Sequence, residues 1–298
     1  MKATSWQVAG LLFVLGGFLG ALGLLASPRF LGASGGLAAL TPHSLALGLL
    51  GGALVLAALA SIVLAPAGLP VAARRNYGSH GTVLGLTLVA GLGSFAVVLP
   101  ALGPLAGVRQ PTVAGFVLSA VVLDVALVGV VYLRVVRPRV ITWHDMGLSA
   151  VRQPRVWLAG LVASIVLFAL AASLELLMKA AGVQQTQLAS LEWLRSVPLW
   201  QYLLVAFSAA ILAPIAEEIY FRGYVFRAYF EQKGPLQAYL FSSLLFALVH
   251  LNLPAIIPIF GIGLFLAFLY HRTGSVLPGM IAHAVNNAVA FAILYLGT

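Results

Sequence analysis

A chain of 298 residues that is 62% hydrophobic and 8% charged, with a mean hydropathy of +1.07, is not a soluble domain, in which about a quarter of residues are charged. The formal charge of +9 comes from basic residues scattered between apolar blocks, which argues against a nucleic-acid surface and for basic loops facing cytoplasm and anionic lipid. There is no cysteine, so disulfides and thiolate chemistry are excluded, and any zinc would need His and carboxylate ligands.

Apolar blocks near the spanning length of roughly 20 residues fall at 6–26, 44–66, 82–104, 112–134, 157–178, 199–226, 236–250, 255–271 and 276–297. They predict an all-α, polytopic transmembrane bundle of about 8–9 helices; a membrane barrel would instead show alternating segments of roughly ten residues. The first block, from Trp6 to Ala26, is long for the core of a signal peptide, roughly 7–15 residues, and reads as an uncleaved first helix.

Basic residues set the orientation. With the N-terminus inside, the cytoplasmic side holds Lys2, Arg74, Arg75, Arg134, Arg137, Arg139, Arg152, Arg155, Arg227, Lys233 and Arg272. The far side holds Arg29, Arg109, Lys179 and Arg195, so the bias follows the positive-inside rule. Three regions result: membrane helices over 1–135 (about four), a basic cytoplasmic linker over 136–156, and a C-terminal membrane core over 157–298. Residues 183–199 are the most polar stretch on the far side and read as an amphipathic helix lying at the interface.

The block 199–226 carries Glu217, Glu218 and Arg222 in the run EEIYFR. Charges at that depth cost several kcal/mol each unless paired or facing a cavity. Glu218 and Arg222 are four apart and share a helix face, which favours them as the ion pair. Glu217 lies about 100° around the helix, free to face another neighbour. An unpaired carboxylate in low dielectric suits general acid–base work. The alternative is that both acids serve only to lock helices together through Arg222.

His250 ends the next apolar segment, with Phe246 four residues earlier on the same face. His283 and Asn287, again four apart, share a face of the last block. A rise of 1.5 Å per residue from Arg227, Lys233 and Arg272 puts Glu217 about 15 Å, His250 about 25 Å and His283 about 16 Å into the bilayer. Three polar sites on three helices at comparable depth predict one cavity. There Glu217 would take a proton from water, His250 would orient that water or bind a metal with Glu217, and His283 and Asn287 would donate to an oxyanion.

These residues resemble the CAAX protease and bacteriocin-processing (CPBP, or Abi) family, related to the prenyl-protein endoprotease of the eukaryotic endoplasmic reticulum. The family pattern is EExxxR, FxxxH and HxxxN or HxxxD on separate helices. Here it reads Glu217-Glu218…Arg222, Phe246…His250 and His283…Asn287, in order and without departure, within about 195–297. The resemblance implies an intramembrane endopeptidase core within 157–298. It implies Glu217, His250, His283 and Asn287 as catalytic residues and Glu218 and Arg222 as support. Zinc on Glu217, His250 and His283, or no metal at all, are both compatible with it. It implies the lipid bilayer and a membrane-anchored protein or peptide substrate as partners, with no nucleic acid, and the inner membrane of a bacterium as location.

Two other readings stand beside it: a non-proteolytic immunity or scaffold protein of the same fold, and a proton- or ion-coupled transporter using Glu217, Glu218 and Asp124. No inverted repeat supports the transporter. Asp124 lies mid-block outside the resemblance, where either a functional role or an internal structural partner fits. Glu175 and Lys179 read as an interfacial ion pair, and His43, His80, His144 and His271 as loop or loop-proximal residues without a catalytic role.

Overall fold

The computed structural model describes residues 75–79, 81–87, 89–90, 112–180, 189–250, 252 and 255–297. The blocks 6–26 and 44–66 lie outside them, and of 82–104 only the helical residues 81–87 and 89–90 are described. Six apolar helices dominate the rest: α1 (Val113–Val136), α2 (Pro154–Ala180), α3 (Leu199–Lys233), α4 (Pro235–Val249), α5 (Ile256–Thr273) and α6 (Leu277–Leu296). All but α4 are long and apolar enough to cross a membrane. The chain is therefore a polytopic helical membrane bundle.

Helix boundaries follow local chemistry. Thr112 caps α1 by accepting from the Gly115 N–H at 3.1 Å. Pro154, Pro235 and Pro278 stand at or next to the first residues of α2, α4 and α6, where the missing N–H costs nothing. Gly274 ends α5 in the left-handed region at φ 66°. Lipid-facing surfaces are apolar, as Leu158, Leu161 and Ile165 on α2 and Leu203 and Phe207 on α3 illustrate.

α3 is the organising element. Its 35 residues extend roughly 50 Å, longer than a perpendicular crossing of a hydrocarbon core of about 30 Å requires. α1, α4 and α6 pack around it, α4 and α5 form a hairpin, and α2 lies against α5 and α6. At the α2–α6 contact, a Cβ on Gly160 would come within 2.6 Å of Ile281, so a small residue sets the approach. The interior around α3 is aromatic: Tyr220, Phe221, Tyr224 and Phe226 are fully buried, and the Tyr220 hydroxyl meets Thr87 Oγ1 at 2.7 Å.

The linker is ordered. Arg139 takes a left-handed φ of 58°, and Thr142 and Asp145 close a small loop through their side chains. Ser275 donates to the Gly147 carbonyl at 2.8 Å and the Val276 N–H to the Met146 carbonyl at 3.1 Å, which seats the linker under the α5–α6 turn. In the stretch predicted as an interfacial helix, the described residues open on a 3-10 helix, Ala189–Ser196. Arg195 from it donates to the Leu294 carbonyl at 3.0 Å, near the end of α6.

Candidate active site

α3 leaves the regular α register at the double Glu. Glu217 closes an α segment, Ala213–Glu217, and Glu218 opens a π-helical segment, Glu218–Phe226. Such wide turns concentrate at functional sites. Glu218 and Arg222 are both 0% exposed. Arg222 Nη1 donates to Glu218 Oε1 at 2.7 Å and Nη2 to the Gly263 carbonyl of α5 at 3.1 Å. The guanidinium also lies 4.5 Å over the Phe246 ring of α4. One arginine therefore neutralises one acid and ties three helices.

Glu217 is 8% exposed, and its Oε2 lies 3.8 Å from Nε2 of His283 on α6. His283 Nδ1 is 3.7 Å from Glu218 Oε1. Both separations are longer than hydrogen bonds and lie within ion-pair range. His283 thus stands between the two acids, 5% exposed. Glu218 reaches this position because α6 offers Gly279 there: a Cβ at Gly279 would sit 2.6 Å from Glu218 Oε2.

His250 follows the last turn of α4. Its Nδ1 is 2.7 Å from the Phe246 carbonyl, which can only accept, so Nδ1 carries a proton, and in the neutral ring Nε2 presents a lone pair. The Phe246 ring lies 4.8 Å from the His250 ring and 5.8 Å from that of His283, edge-on to both. Phe246 is the shared wall of the site, a role beyond the spacing match that drew attention to it. Asn287 donates through Nδ2 to the Ala209 carbonyl of α3 at 3.0 Å, and Asn286 Nδ2 lies 3.4 Å from Asn287 Oδ1.

The structure thus brings Glu217, Glu218, Arg222 and His283 together, joins His250 to them through Phe246, and places Asn287 one turn beyond His283 against α3. Gly263 and Gly279 carried no sequence signal, because only the neighbouring helix makes their lack of a side chain matter. Among the described residues, no three His, Asp or Glu side chains gather closely enough to hold a metal ion. The side chains as placed do not form the zinc site considered from the sequence.

Asp124 on α1 has a buried carboxylate oxygen without a hydrogen-bond partner among the described residues, and its charge is close enough to interact with that of Glu217. His271 is held by the Tyr239 hydroxyl at 2.9 Å and by the rings of Phe226 and Phe230, a packing role. His144 is exposed in the linker. His43, His80 and the Lys179 side chain lie outside the described residues. Ser242 donates to the Phe221 carbonyl at 2.8 Å, a helix-to-helix tie.

Comparison with known proteins bears on this segment. Residues 198–289 match the family model described as type II CAAX prenyl endopeptidase Rce1-like. A Bacillus subtilis (strain 168) protein named "Putative membrane peptidase YdiL" is 34% identical over 99 residues, which are 33% of this chain and 38% of that protein. The chain therefore matches well under half the length of this relative. No solved structure matches the chain significantly.

Proposed function

We propose, from the match of residues 198–289 to the Rce1-like CAAX prenyl endopeptidase family model, that the chain is an intramembrane endopeptidase acting on a membrane-anchored or lipidated protein or peptide. The observation that carries this reading is the pairing of Glu217 with His283 at 3.8 Å, beside an acid, Glu218, already neutralised by Arg222 at 2.7 Å. One carboxylate is committed to structure and the other is left for chemistry.

In this scheme Glu217 accepts a proton from water as the water oxygen attacks the substrate carbonyl, then delivers that proton to the leaving amine. His250, with its Nε2 lone pair available, orients the water. His283 stabilises the oxyanion. Asn287 has one N–H on Ala209 and a second that can join His283 there. Burial of Glu217 and His283 raises the value of their contacts by excluding bulk water.

We place the protein in a bacterial inner (cell) membrane with the N-terminus cytoplasmic, following the basic-residue bias. That setting favours peptide maturation or removal of a C-terminal sorting helix over cleavage after a prenylated cysteine. Comparative proteomics of membrane-protein termini, in cells expressing wild type or Glu217→Gln, tests the reading. New termini confined to the wild type are expected. The same set of termini with a folded Glu217→Gln variant would sink it.

A further inference from the structure

We propose that Asn287 is a positioning residue, whose amide closes a backbone defect created by Pro214 and so sets the register between Glu217 and His283. The defect follows from the chain itself. Over Ser208–Leu212, α3 is π-helical, and the Ala213 N–H donates to the Ser208 carbonyl. In an α register the Ala209 carbonyl would accept from residue 213, and in a π register from residue 214. The first donor is taken by Ser208, and the second does not exist because residue 214 is proline. Ala209 is thus left with a carbonyl that its own helix cannot satisfy, in a segment read as membrane-spanning, where no bulk water can replace the donor.

Asn287 supplies that donor from α6 at 3.0 Å. The contact is placed to matter for the site. Pro214 precedes Glu217 by three residues on α3, and His283 precedes Asn287 by four on α6. The Asn287–Ala209 bond and the Glu217–His283 contact are therefore two rungs between the same pair of helices, about two turns apart on α3 and one on α6. The neighbouring Asn286 amide, 3.4 Å from Asn287 Oδ1, holds the carbonyl end of the Asn287 amide and leaves its nitrogen toward α3.

This deepens the protease reading only in taking Glu217 and His283 as the working pair, and its test needs no substrate. The full chain in lipid nanodiscs is compared as wild type, Asn287→Leu, Pro214→Ala and the double variant. Pro214→Ala restores the backbone N–H, so the helix can satisfy Ala209 itself and Asn287 becomes dispensable. Expected is a roughly tenfold rise in the unfolding constant for Asn287→Leu in the Pro214 background, shrinking to less than about twofold with Pro214→Ala. The ring-nitrogen resonances of 15N-labelled His283 should move in Asn287→Leu and return toward wild type in the double variant.

Equal destabilisation in both backgrounds, or His283 resonances unmoved by Asn287→Leu, would overturn the proposal. Should Asn287→Leu fail to fold alone yet fold with Pro214→Ala, that rescue supports it. Should it fail in both backgrounds, Asn287→Ala replaces it. Its methyl group cannot donate, and an unmoved His283 resonance there would also overturn the proposal. Loss of the protease reading would leave all of these outcomes unchanged.

Discussion

Arg222 and Glu218 meet at 2.7 Å with both side chains fully buried, and the guanidinium also rests on the Phe246 ring and the Gly263 carbonyl. A buried pair is costly to break because the survivor keeps an uncompensated charge, whereas replacing both members is often tolerated. Arg222→Met should therefore destabilise by about 3–5 kcal/mol. Arg222→Met with Glu218→Leu should recover most of that loss. Thermal unfolding of the purified protein in detergent checks both. A double variant no more stable than the single one would mean that the arginine's ties to α4 and α5, rather than the ion pair, hold this region.

Gly279 sits where α6 passes the Glu218 carboxylate. A Cβ there would lie 2.6 Å from Oε2, closer than real Cβ atoms approach, and 3.2 Å from the carboxyl carbon. Gly279→Ala should thus cost about 1–3 kcal/mol through displacement of an acid that Arg222 holds firmly. The same substitution should be much milder in a Glu218→Ala background, since the clash partner is gone. The proposed activity should fall with stability, because a shifted Glu218 carries His283, 3.7 Å away, with it. Additive losses in the two variants would place the damage elsewhere on α6.

Much of this arrangement can be read from spacing. Glu218 and Arg222, four apart in an apolar run, foretell a pair, and the Phe–His and His–Asn repeats foretell two more helices with polar faces. What spacing could not give is register. The π turns at Ser208–Leu212 and Glu218–Phe226 widen α3 locally, so the angle around it differs from that of a regular α-helix. The ring of Phe246 between two histidines, and the carbonyls of Gly263 and Ala209 as acceptors, are tertiary facts without a residue-type signal. The 15-residue α4 also falls short of a full span, which brings His250 to a helix end inside the bundle rather than to a conventional loop.

The linker should carry an acid-labile joint. Burial alone would raise the Asp145 carboxyl. The Thr142 N–H and hydroxyl, at 2.7 and 2.8 Å, and the Arg75 and Arg227 charges outweigh it and hold the group below the ordinary carboxylate range. Glu231, the other acid in this cluster, is shared with both arginines. A carboxyl whose folded value lies below its unfolded value stabilises the fold above the unfolded pKa, about 3.9 for Asp, and loses that contribution as pH falls through the folded value. Stability from this joint should therefore be constant at neutral pH and decline below about pH 4. In Asp145→Asn the neutral-pH melting temperature should drop and its acid dependence should flatten. The comparison is the difference in melting temperature between wild type and variant across the pH range, since other acids titrate in both. A difference that stays constant down to the lowest pH would show that Asp145 gives up no charge-dependent contact there. The Thr142 loop would then owe its order to the Ser275–Gly147 and Val276–Met146 bonds beneath it.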